Sequence, residues 1–346
     1  MRDIPNNFYN LDIYGKSSKR PYNRGKSFGY QVLGFGAFTS GGLKPLQRGI
    51  FPFGYSYVAA SDSDVLYATS NLVNDQGVMQ SDTSAVSGVG PKAQGAGATY
   101  GGDKAIHAFG YLESSSAETS LKNLISNTGV VAADVTGVGT ARLELSAVSY
   151  GVGNALFAFG TPSGGVTNIK NLVNDVGVVA SNSSGVGTAN TSRYETSFGG
   201  LAAGTALIAL GSSNTRNLVS NTGVIASDST TGNATSRTQG GGCTFGEDKG
   251  ILMTGSANKS NIVSNSGVIA DDVNFSGTGA ISCAACGFGG DKGILGFGNG
   301  GNPTGGARFG LARTNTVNNS GTVSSDVTRV DGVTGKTTEQ ASSFGN

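Results

Sequence analysis

Short apolar runs separated by glycine and small polar residues recur along most of the chain. The clearest repeat is a segment that begins with Asn, continues with two mainly apolar residues and ends with Gly. It occurs at residues 71–77, 123–129, 171–177, 217–223, 261–267 and 315–321, so successive copies start 52, 48, 46, 44 and 54 residues apart. A constant segment at variable spacing predicts fixed strands joined by loops of different length.

Each copy of this segment predicts a tight hairpin. Polar residues that favour turns follow the apolar pair, and the glycine comes last. That order suits a type I turn closed by a glycine in the left-handed region, which forms a G1 bulge. Apolar residues follow again, for example Val130 and Val131. We therefore expect two short antiparallel strands in every copy.

Two further strands are predicted before most hairpins. An apolar strand that ends in glycine recurs at residues 103–110, 154–160, 205–211, 248–255 and 291–298. A strand of small residues that ends in an aromatic residue and glycine precedes it, at residues 99–101, 149–151, 197–199, 244–246 and 287–289. Four strands in a unit of about 45–50 residues is the arrangement of a propeller blade. Blades packed side by side in a ring bury the faces that one sheet alone would expose.

The two ends of the repeat region match complementary parts of one unit. Residues 30–36 match the second strand, and residues 342–346 match the first strand. We expect ring closure through Tyr30, Val32, Leu33, Phe35, Ser343 and Phe344. With second strands also at residues 64–69 and at the five segments above, the pattern predicts an all-β, seven-bladed propeller over residues 27–346. Six blades is the alternative, if residues 27–54 only extend the N-terminal arm.

This order of strands resembles the Kelch repeat over about residues 27–346. Two features depart from that pattern, because Gly110, Gly160 and their equivalents mostly stand alone and the chain has no Trp. The Gly-, Ser-, Asn- and Thr-rich repeats are also similar to Kelch-like proteins encoded by tailed bacteriophages, especially marine ones. The resemblance implies a structural component of a virion, in a tail, a tail fibre or a capsid-surface appendage, that is assembled in the host cytoplasm.

Composition agrees with an all-β protein and narrows the possible partners. The chain contains 58 Gly but only 7 Pro, and 13% of its residues are charged. A net charge of +1 argues against a duplex nucleic acid as partner, because neutralising phosphates takes many basic residues. No apolar run is long enough for a membrane helix, and the first residues do not predict a secretory signal. Three cysteines do not predict a disulfide framework, so we expect folding in a reducing cytoplasm.

Residues 1–26 differ from the repeats and predict an extended anchoring arm. Six basic residues stand against two acidic ones, which gives the arm a charge of +4 and leaves about −3 for the remainder. Aromatic residues alternate with the basic ones, which favours an arm that becomes ordered on a partner protein. The predicted contact residues are Arg2, Phe8, Tyr9, Tyr14, Lys19, Arg20, Tyr22 and Arg24. A disordered tail and a contact with single-stranded nucleic acid are the alternatives.

Few residues suggest catalysis or metal binding. Cys283 and Cys286 form a lone C-x-x-C, and Cys243 and Cys286 occupy the position that holds Ala98 in an earlier unit, so packing is the expected role. His107 is the only histidine and lies in an apolar strand. A catalytic triad would have to use His107, and a zinc site would need it together with all three cysteines, so packing is the favoured interpretation of these residues and we expect no cofactor and no metal.

Acidic residues give weaker signals still. Asp–Lys pairs recur at residues 103–104, 248–249 and 291–292 and predict local ion pairs at turns, whose ring could line one rim of the propeller. Asp62 with Asp64, or Asp271 with Asp272, lack the rest of a calcium loop.

The sequence thus predicts a protein that is not an enzyme. It is expected to be a protein–protein scaffold whose arm binds other virion proteins and whose loops contact those proteins or a host-surface glycan. A carbohydrate- or small-ligand-binding propeller is the alternative, and a propeller enzyme is a third.

Overall fold

The computed structural model describes residues 47–58, 63–191, 194–198, 204–211, 213–254, 257–299, 310–328, 332–337 and 341–345. All of them belong to one of the two units of the chain, Leu46–Asn346. Apart from a 3-10 turn at Glu113–Ser115, the regular structure of the described residues is strand, so the all-β prediction is confirmed. The predicted arm and its boundary at residue 26 lie outside the described residues.

Eight antiparallel sheets are present in the described part of the chain, and six of them share one strand order. In that order a first strand pairs with a second strand and the second pairs with a third. Sheet 1 contains β27 (Ser342–Phe344), β1 (Arg48–Pro52) and β4 (Ser70–Val73), and sheet 2 contains β6 (Ala96–Tyr100), β7 (Lys104–Ala108) and β10 (Lys122–Ile125).

The other four sheets of this kind also have a short fourth strand. Sheet 3 contains β11 (Ser146–Tyr150), β12 (Asn154–Ala158), β13 (Ile169–Val173) and β14 (Ser183–Ser184). Sheet 4 contains β15 (Tyr194–Phe198), β16 (Thr205–Ala209), β17 (Thr215–Val219) and β18 (Ser229–Thr230). Sheet 5 contains β19 (Gly241–Phe245), β20 (Lys249–Met253), β21 (Lys259–Val263) and β22 (Val273–Asn274). Sheet 6 contains β23 (Ala284–Phe288), β24 (Lys292–Gly296), β25 (Arg313–Val317) and β26 (Val327–Thr328).

Two smaller sheets follow the second strands of sheets 1 and 2. The first is a hairpin of β2 (Tyr55–Val58) and β3 (Ser63–Leu66). The second joins β5 (Lys92–Ala93), β8 (Tyr111–Leu112) and β9 (Ala117–Glu118). Both are insertions between the second and third strands of their sheets, with β5 supplied by the segment that leads into sheet 2.

The structure corrects the predicted strands at the N-terminal end of the repeats. Residues 64–69 were expected to form a second strand, but Ser63–Leu66 pairs with Tyr55–Val58 instead. The second strand of sheet 1 is Arg48–Pro52, and it pairs with the C-terminal strand Ser342–Phe344, for which residues 30–36 were the predicted partner. Residues 30–36 themselves lie outside the described residues.

A shared backbone conformation identifies Arg48–Pro52 as a second strand. The residue before the closing glycine of every second strand has a positive φ although it is not glycine. Its φ is 61° at Phe53 and lies between 62° and 67° at the five equivalents, Phe109, Phe159, Leu210, Thr254 and Phe297. Such residues are uncommon, so six of them at one position mark one structural unit repeated six times.

The predicted hairpin turns are confirmed in all six sheets. In sheet 1 the Gly77 amide donates to the Asn74 carbonyl at 3.0 Å, and the Asn74 amide donates to the Val78 carbonyl at 3.1 Å. This is the hydrogen-bond pattern of a type I turn with a G1 bulge. The Asn74 side chain also accepts from the amides of Gln76 and Val78 at 3.0 and 2.9 Å, and Ser replaces Asn in the same role at Ser126.

The hydrophobic core is divided into six clusters, and each lies between two sheets. The clusters join sheets 2 and 3, 3 and 4, 4 and 5, 5 and 6, 6 and 1, and 1 and 2. The first strands contact one another in the same order, and β27 contacts both β23 and β6. Each sheet is thus covered by apolar residues of a neighbour on both sides.

One contact recurs at all six of these junctions. The aromatic residue at the end of each first strand lies against the turn glycine of the next sheet, so closely that a Cβ on that glycine would meet the ring. The pairs are Phe344 with Gly129, Tyr100 with Gly177, Tyr150 with Gly223, Phe198 with Gly267, Phe245 with Gly321 and Phe288 with Gly77. Glycine is therefore favoured at this position for two reasons. Its φ is positive, and the ring that covers it leaves no room for a side chain.

We expect Gly77→Ala to cost about 2–3 kcal/mol of unfolding free energy, from backbone strain and from overpacking. Its φ is 79°, and an added Cβ would lie 2.5 Å from Cζ of Phe288. Gly232 is the matched control, because its φ is 69° and an added Cβ would meet nothing within 4 Å. Gly232→Ala should lose only about 1 kcal/mol. Urea unfolding of both variants measures the difference, and equal losses would contradict the packing role of the aromatic ring.

Candidate functional site

Of the residues predicted to bind a partner or close the ring, the structure describes only Ser343 and Phe344. The eight arm residues, and Tyr30, Val32, Leu33 and Phe35, lie outside the described residues. Phe344 is 1% exposed and lies over Gly129 of sheet 2, with the Arg48 guanidinium 5.1 Å from its ring centre. The Ser343 hydroxyl donates to the Gly287 carbonyl at 3.0 Å and accepts from the Gly287 amide at 2.9 Å. These two residues thus connect sheet 1 to sheets 2 and 6.

Ser343 belongs to a belt of hydroxyl groups on the first strands. The residue before each aromatic is Ser or Thr in five sheets, and its hydroxyl donates to the main-chain carbonyl at the same position of the preceding sheet. The donors are Thr99 to Ser343, Ser149 to Thr99, Ser197 to Ser149, Thr244 to Ser197 and Ser343 to Gly287, over 2.8–3.5 Å. In sheet 6 the position holds Gly287, so the belt has five of six links.

A second repeated network starts from the Asn that opens each hairpin segment. Its side-chain amide donates to a carbonyl nine residues on and to a side-chain oxygen eleven residues on, as Asn261 does to Ala270 and Asp272 at 2.9 Å each. All six of these Asn residues are at most 1% exposed. The partners at eleven residues are Asp82, Asp134, Asn182, Asp228, Asp272 and Asp326. The constant spacing is present in the sequence, but its role is visible only in the structure.

These side chains clamp the segment that leads into the first strand of the same sheet. Asp228 accepts from the hydroxyl of Thr188 at 2.6 Å, and Asp326 accepts from the amide of Thr278 at 3.1 Å. Burial opposes ionisation of Asp82, but hydrogen bonds from Thr334 and Asn71 bring the pKa of this carboxyl below its usual value. The clamp therefore favours the charged form of a half-buried carboxylate.

The clamp holds the main-chain amide of one residue in the segment before each first strand. In four sheets a buried basic side chain stands two residues after that residue, and sequence analysis did not identify these four cations. They are Lys92, Arg142, Arg237 and Lys336, none more than 6% exposed, and each lies 4.3–5.4 Å from the centre of an aromatic ring. Burial lowers the pKa of Arg142 to about 10 and that of Lys336 to about 7. The repeated Thr-x-Arg or Thr-x-Lys at Thr140, Thr235 and Thr334 is the sequence signal that could have located three of them.

The candidate nucleophiles and acid–base groups are buried in the junctions between sheets. His107 is 1% exposed, and its Nε2 lies 3.3 Å from the hydroxyl of Ser342, which is also buried. The three cysteines are free thiols and at most 5% exposed, and burial raises the pKa of Cys243 to about 12. Cys243 pairs with Ile251 and Cys286 pairs with Ile294, in the same strand register in which Ala98 pairs with Ile106. The prediction that Cys243, Cys286 and Ala98 occupy one structural position is therefore confirmed.

The recurrent Asp–Lys pairs are ion pairs at the turns between first and second strands. The Nζ–Oδ1 distances are 2.8 Å for Lys104–Asp103, 3.1 Å for Lys249–Asp248 and 2.8 Å for Lys292–Asp291. The lysine side chains are 41–46% exposed, so each pair contributes little to stability.

Of the acids considered as calcium ligands, Asp62 lies outside the described residues and Asp272 is held in its clamp. Within the described ranges, no group of three or more His, Cys, Asp or Glu could hold a metal ion. The same part of the chain contains no helix with the length and apolar character needed to cross a membrane.

A cleft of about 400 Å³ lies between the β2–β3 hairpin and the β5–β8–β9 sheet. Its polar and aromatic lining comes from Tyr55, Asp64, Gln94, Tyr111, Glu113 and Ser116. Leu66 and Ala93 add apolar surface. Asp64 and Glu113 are exposed, and no basic side chain lines the cleft within the described part of the chain, so the described lining carries two negative charges.

The main chain around the cleft is fixed by pairing on several sides. Tyr55 pairs with Leu66 and also exchanges two hydrogen bonds with Thr337, at 3.0 and 2.7 Å. Tyr111 pairs with both Ala93 and Glu118. The Gln94 side chain donates to Glu144 at 2.9 Å. The cleft is therefore a preformed feature of the folded chain.

No protein-family model matches the chain, and no curated protein matches it significantly.

Proposed function

We propose that the six sheets of common strand order are the blades of a closed six-bladed β-propeller. Six cores that link the sheets in cyclic order support this arrangement, since an open stack of six sheets would have only five junctions. Six is preferred to seven because residues 64–69 supply no second strand. The ring closes where the C-terminal strand β27 pairs with β1, so strands from both ends of the propeller share one blade.

The observation that carries the proposal is the contact between aromatic ring and turn glycine, which recurs at all six junctions. Phe288 of sheet 6 covers Gly77 of sheet 1, and Phe344 of sheet 1 covers Gly129 of sheet 2. The hydroxyl belt runs in the same cyclic order. Because neighbouring blades are joined in the same way throughout, the ring is a rigid platform.

We propose that this platform is a non-catalytic protein–protein scaffold in the virion of a tailed bacteriophage. The burial of His107 and the three cysteines supports a structural role for them, because substrate could not reach these side chains. The assignment to a virion tail or surface appendage is supported by the resemblance of the repeats to Kelch-like phage proteins. In this proposal residues 1–26 attach the propeller to a neighbouring virion protein.

Deletion of residues 1–26 tests the anchoring role. We expect the truncated protein to unfold at the same urea concentration as the full chain but to be missing from purified virions, because the propeller does not depend on the arm. The measurement is quantitative mass spectrometry of virions from cells that supply either form. Substitution of Arg20 and Arg24 by Gln in the full chain separates charge from length, and a partial loss of incorporation is expected.

Two results would contradict different parts of this proposal. Normal incorporation of the truncated protein would remove the anchoring role of the arm. Absence of the full-length protein from the virions would remove the virion assignment and leave the propeller proposal unaffected.

A further inference from the structure

The cleft breaks the regularity of the repeat at two neighbouring sheets. Tyr55 and Tyr111 occupy the same position, directly after the glycine that follows the second strand of sheets 1 and 2. The other four repeats have Thr161, Ser212, Ser256 and Asn299 there. Because four repeats do without an aromatic residue at this position, the architecture does not require one. Both tyrosines line the cleft, where Tyr111 is half-buried and Tyr55 is 7% exposed, so the ring of Tyr111 is the one that a ligand can reach.

The chemistry of the lining limits what this ligand can be. Asp64 and Glu113 are acceptors when ionised, and among the described residues no Lys, Arg or His lines the cleft to balance a second anion. Phosphates, sulfated sugars and sialic acids are therefore disfavoured. Carboxylates accept strong hydrogen bonds from hydroxyl groups, and tyrosine rings offer apolar faces with a polar edge. A ligand rich in hydroxyl groups that also has an apolar face satisfies both.

We propose that the cleft binds a neutral saccharide of about two sugar units. The volume of about 400 Å³ lies in the range of small-molecule sites and is larger than a single ammonium group needs. An ammonium ion could use a carboxylate and a ring, but it would fill only part of this volume. The Gln94 amide and the Ser116 hydroxyl already donate to Glu144 and to the Glu113 carbonyl, at 2.9 and 3.5 Å, so their oxygens remain as acceptors for hydroxyl groups. A saccharide uses the whole lining, since its hydroxyl groups both donate and accept.

The cleft is held in its shape without a ligand. The amide of Ser116 donates to the Glu113 carbonyl at 3.1 Å, and Ser116 itself has a φ of 50°. The amide of Glu113 donates to the Pro91 carbonyl at 3.2 Å, which ties the turn to the segment that enters sheet 2. Gln94 has a positive φ, and so do the equivalent residues Glu144, Gln239 and Ser282. This conformation is therefore a feature of the repeat and not of the cleft. Ser116 is the left-handed C-cap that ends the 3-10 turn.

The proposal depends on the packing of sheets 1 and 2 and not on the assignment to a virion. Saccharide binding and scaffolding can therefore fail independently of each other. If both hold, the propeller would present a glycan-binding cleft from a rigid platform.

Saturation-transfer NMR on the purified full chain tests the proposal with lactose, maltose and cellobiose as probes at millimolar concentration. Glucuronic acid and tetramethylammonium chloride serve as the anionic and cationic probes. We expect transfer to at least one neutral disaccharide and not to glucuronic acid. The double variant Asp64→Asn, Glu113→Gln should weaken that binding by about tenfold or more, because neutral amides are poorer acceptors than carboxylates.

Tyr111→Ala and the control Asp248→Asn complete the design. Asp248 is a partly exposed carboxylate in the β19–β20 turn, outside the cleft, so its variant should bind the disaccharide as the full chain does. Tyr111→Ala should lose binding while its thermal unfolding shows a folded protein. No transfer to any of the three disaccharides, stronger binding of tetramethylammonium, or equal loss in Asp248→Asn would each overturn the proposal.

Discussion

Phe344→Ala should cost about 3–5 kcal/mol of unfolding free energy, as expected for truncation of a fully buried Phe. Phe344 is the third residue from the C-terminal end of the chain, where substitutions are usually tolerated. Here its ring fills the junction between sheets 1 and 2, covers Gly129 and stacks with Arg48. The loss should therefore be that of a core residue and not that of a chain end.

Phe245→Ala is the matched control for this experiment. Phe245 is also 1% exposed and covers Gly321 in the same way, but its strand β19 is adjacent in sequence to the other strands of sheet 5, whereas β27 joins sheet 1 from the far end of the sequence. In a closed ring the two variants should lose the same free energy within about 1 kcal/mol. If the sheets formed an open stack in solution, Phe344→Ala would be nearly neutral while Phe245→Ala would still be costly. Urea unfolding of both variants, with the midpoint and the slope compared, distinguishes the two outcomes.

The turns of this fold are predictable because their determinants are local. A glycine at φ near 80°, preceded by Asn or Ser that accepts from two amides, specifies a G1-bulge hairpin within five residues. The equivalence of Cys243, Cys286 and Ala98 followed from a constant distance to the next strand. In each case the relevant partners are neighbours in the sequence.

The second strand of sheet 1 was predicted at residues 64–69 and not at Arg48–Pro52, for a physical reason. Arg48–Pro52 ends in proline, which lacks an amide and is uncommon in strand interiors, so the segment does not match a strand pattern. Pro52 is tolerated because it is the last residue of the strand. The six positive-φ residues before the closing glycine are the better marker, but the sequence does not show φ.

The cleft and the buried cations depend on long-range geometry. The cleft combines residues from two inserted sheets and from the segment that enters sheet 2, and sequence spacing does not place these beside one another. Lys92 and Lys336 stand in glycine-rich connections, where lysine is ordinarily exposed to solvent. Their burial follows from the clamp and from the aromatic ring of a neighbouring sheet.

The contribution of Lys336 to the stability of the protein should rise with pH between about 7 and 10. Burial lowers the pKa of Lys336 from 10.5 to about 7 in the folded chain. Among the described residues its Nζ has two long contacts, to the carbonyls of Phe51 and Thr69 at 3.3 and 3.4 Å, and it lies 5.0 Å from the ring centre of Phe297. Between the two pKa values the unfolded chain binds one more proton than the folded chain, so raising the pH favours the folded state.

Lys336→Met isolates this contribution, because Met keeps an unbranched apolar side chain in the same cavity and cannot take up a proton. From pH 7 to pH 10 the full chain should gain about 3–4 kcal/mol relative to the variant, as one proton over three pH units requires. Groups that titrate in both proteins, such as Cys243, cancel in the comparison. Lys104→Met, at an exposed ion pair, should run parallel to the full chain. If the unfolding free energies of Lys336→Met and of the unsubstituted chain changed in parallel with pH, the Lys336 ammonium would stay charged in the folded protein. The Asp82 carboxylate, which the same clamp holds ionised, would then compensate its charge.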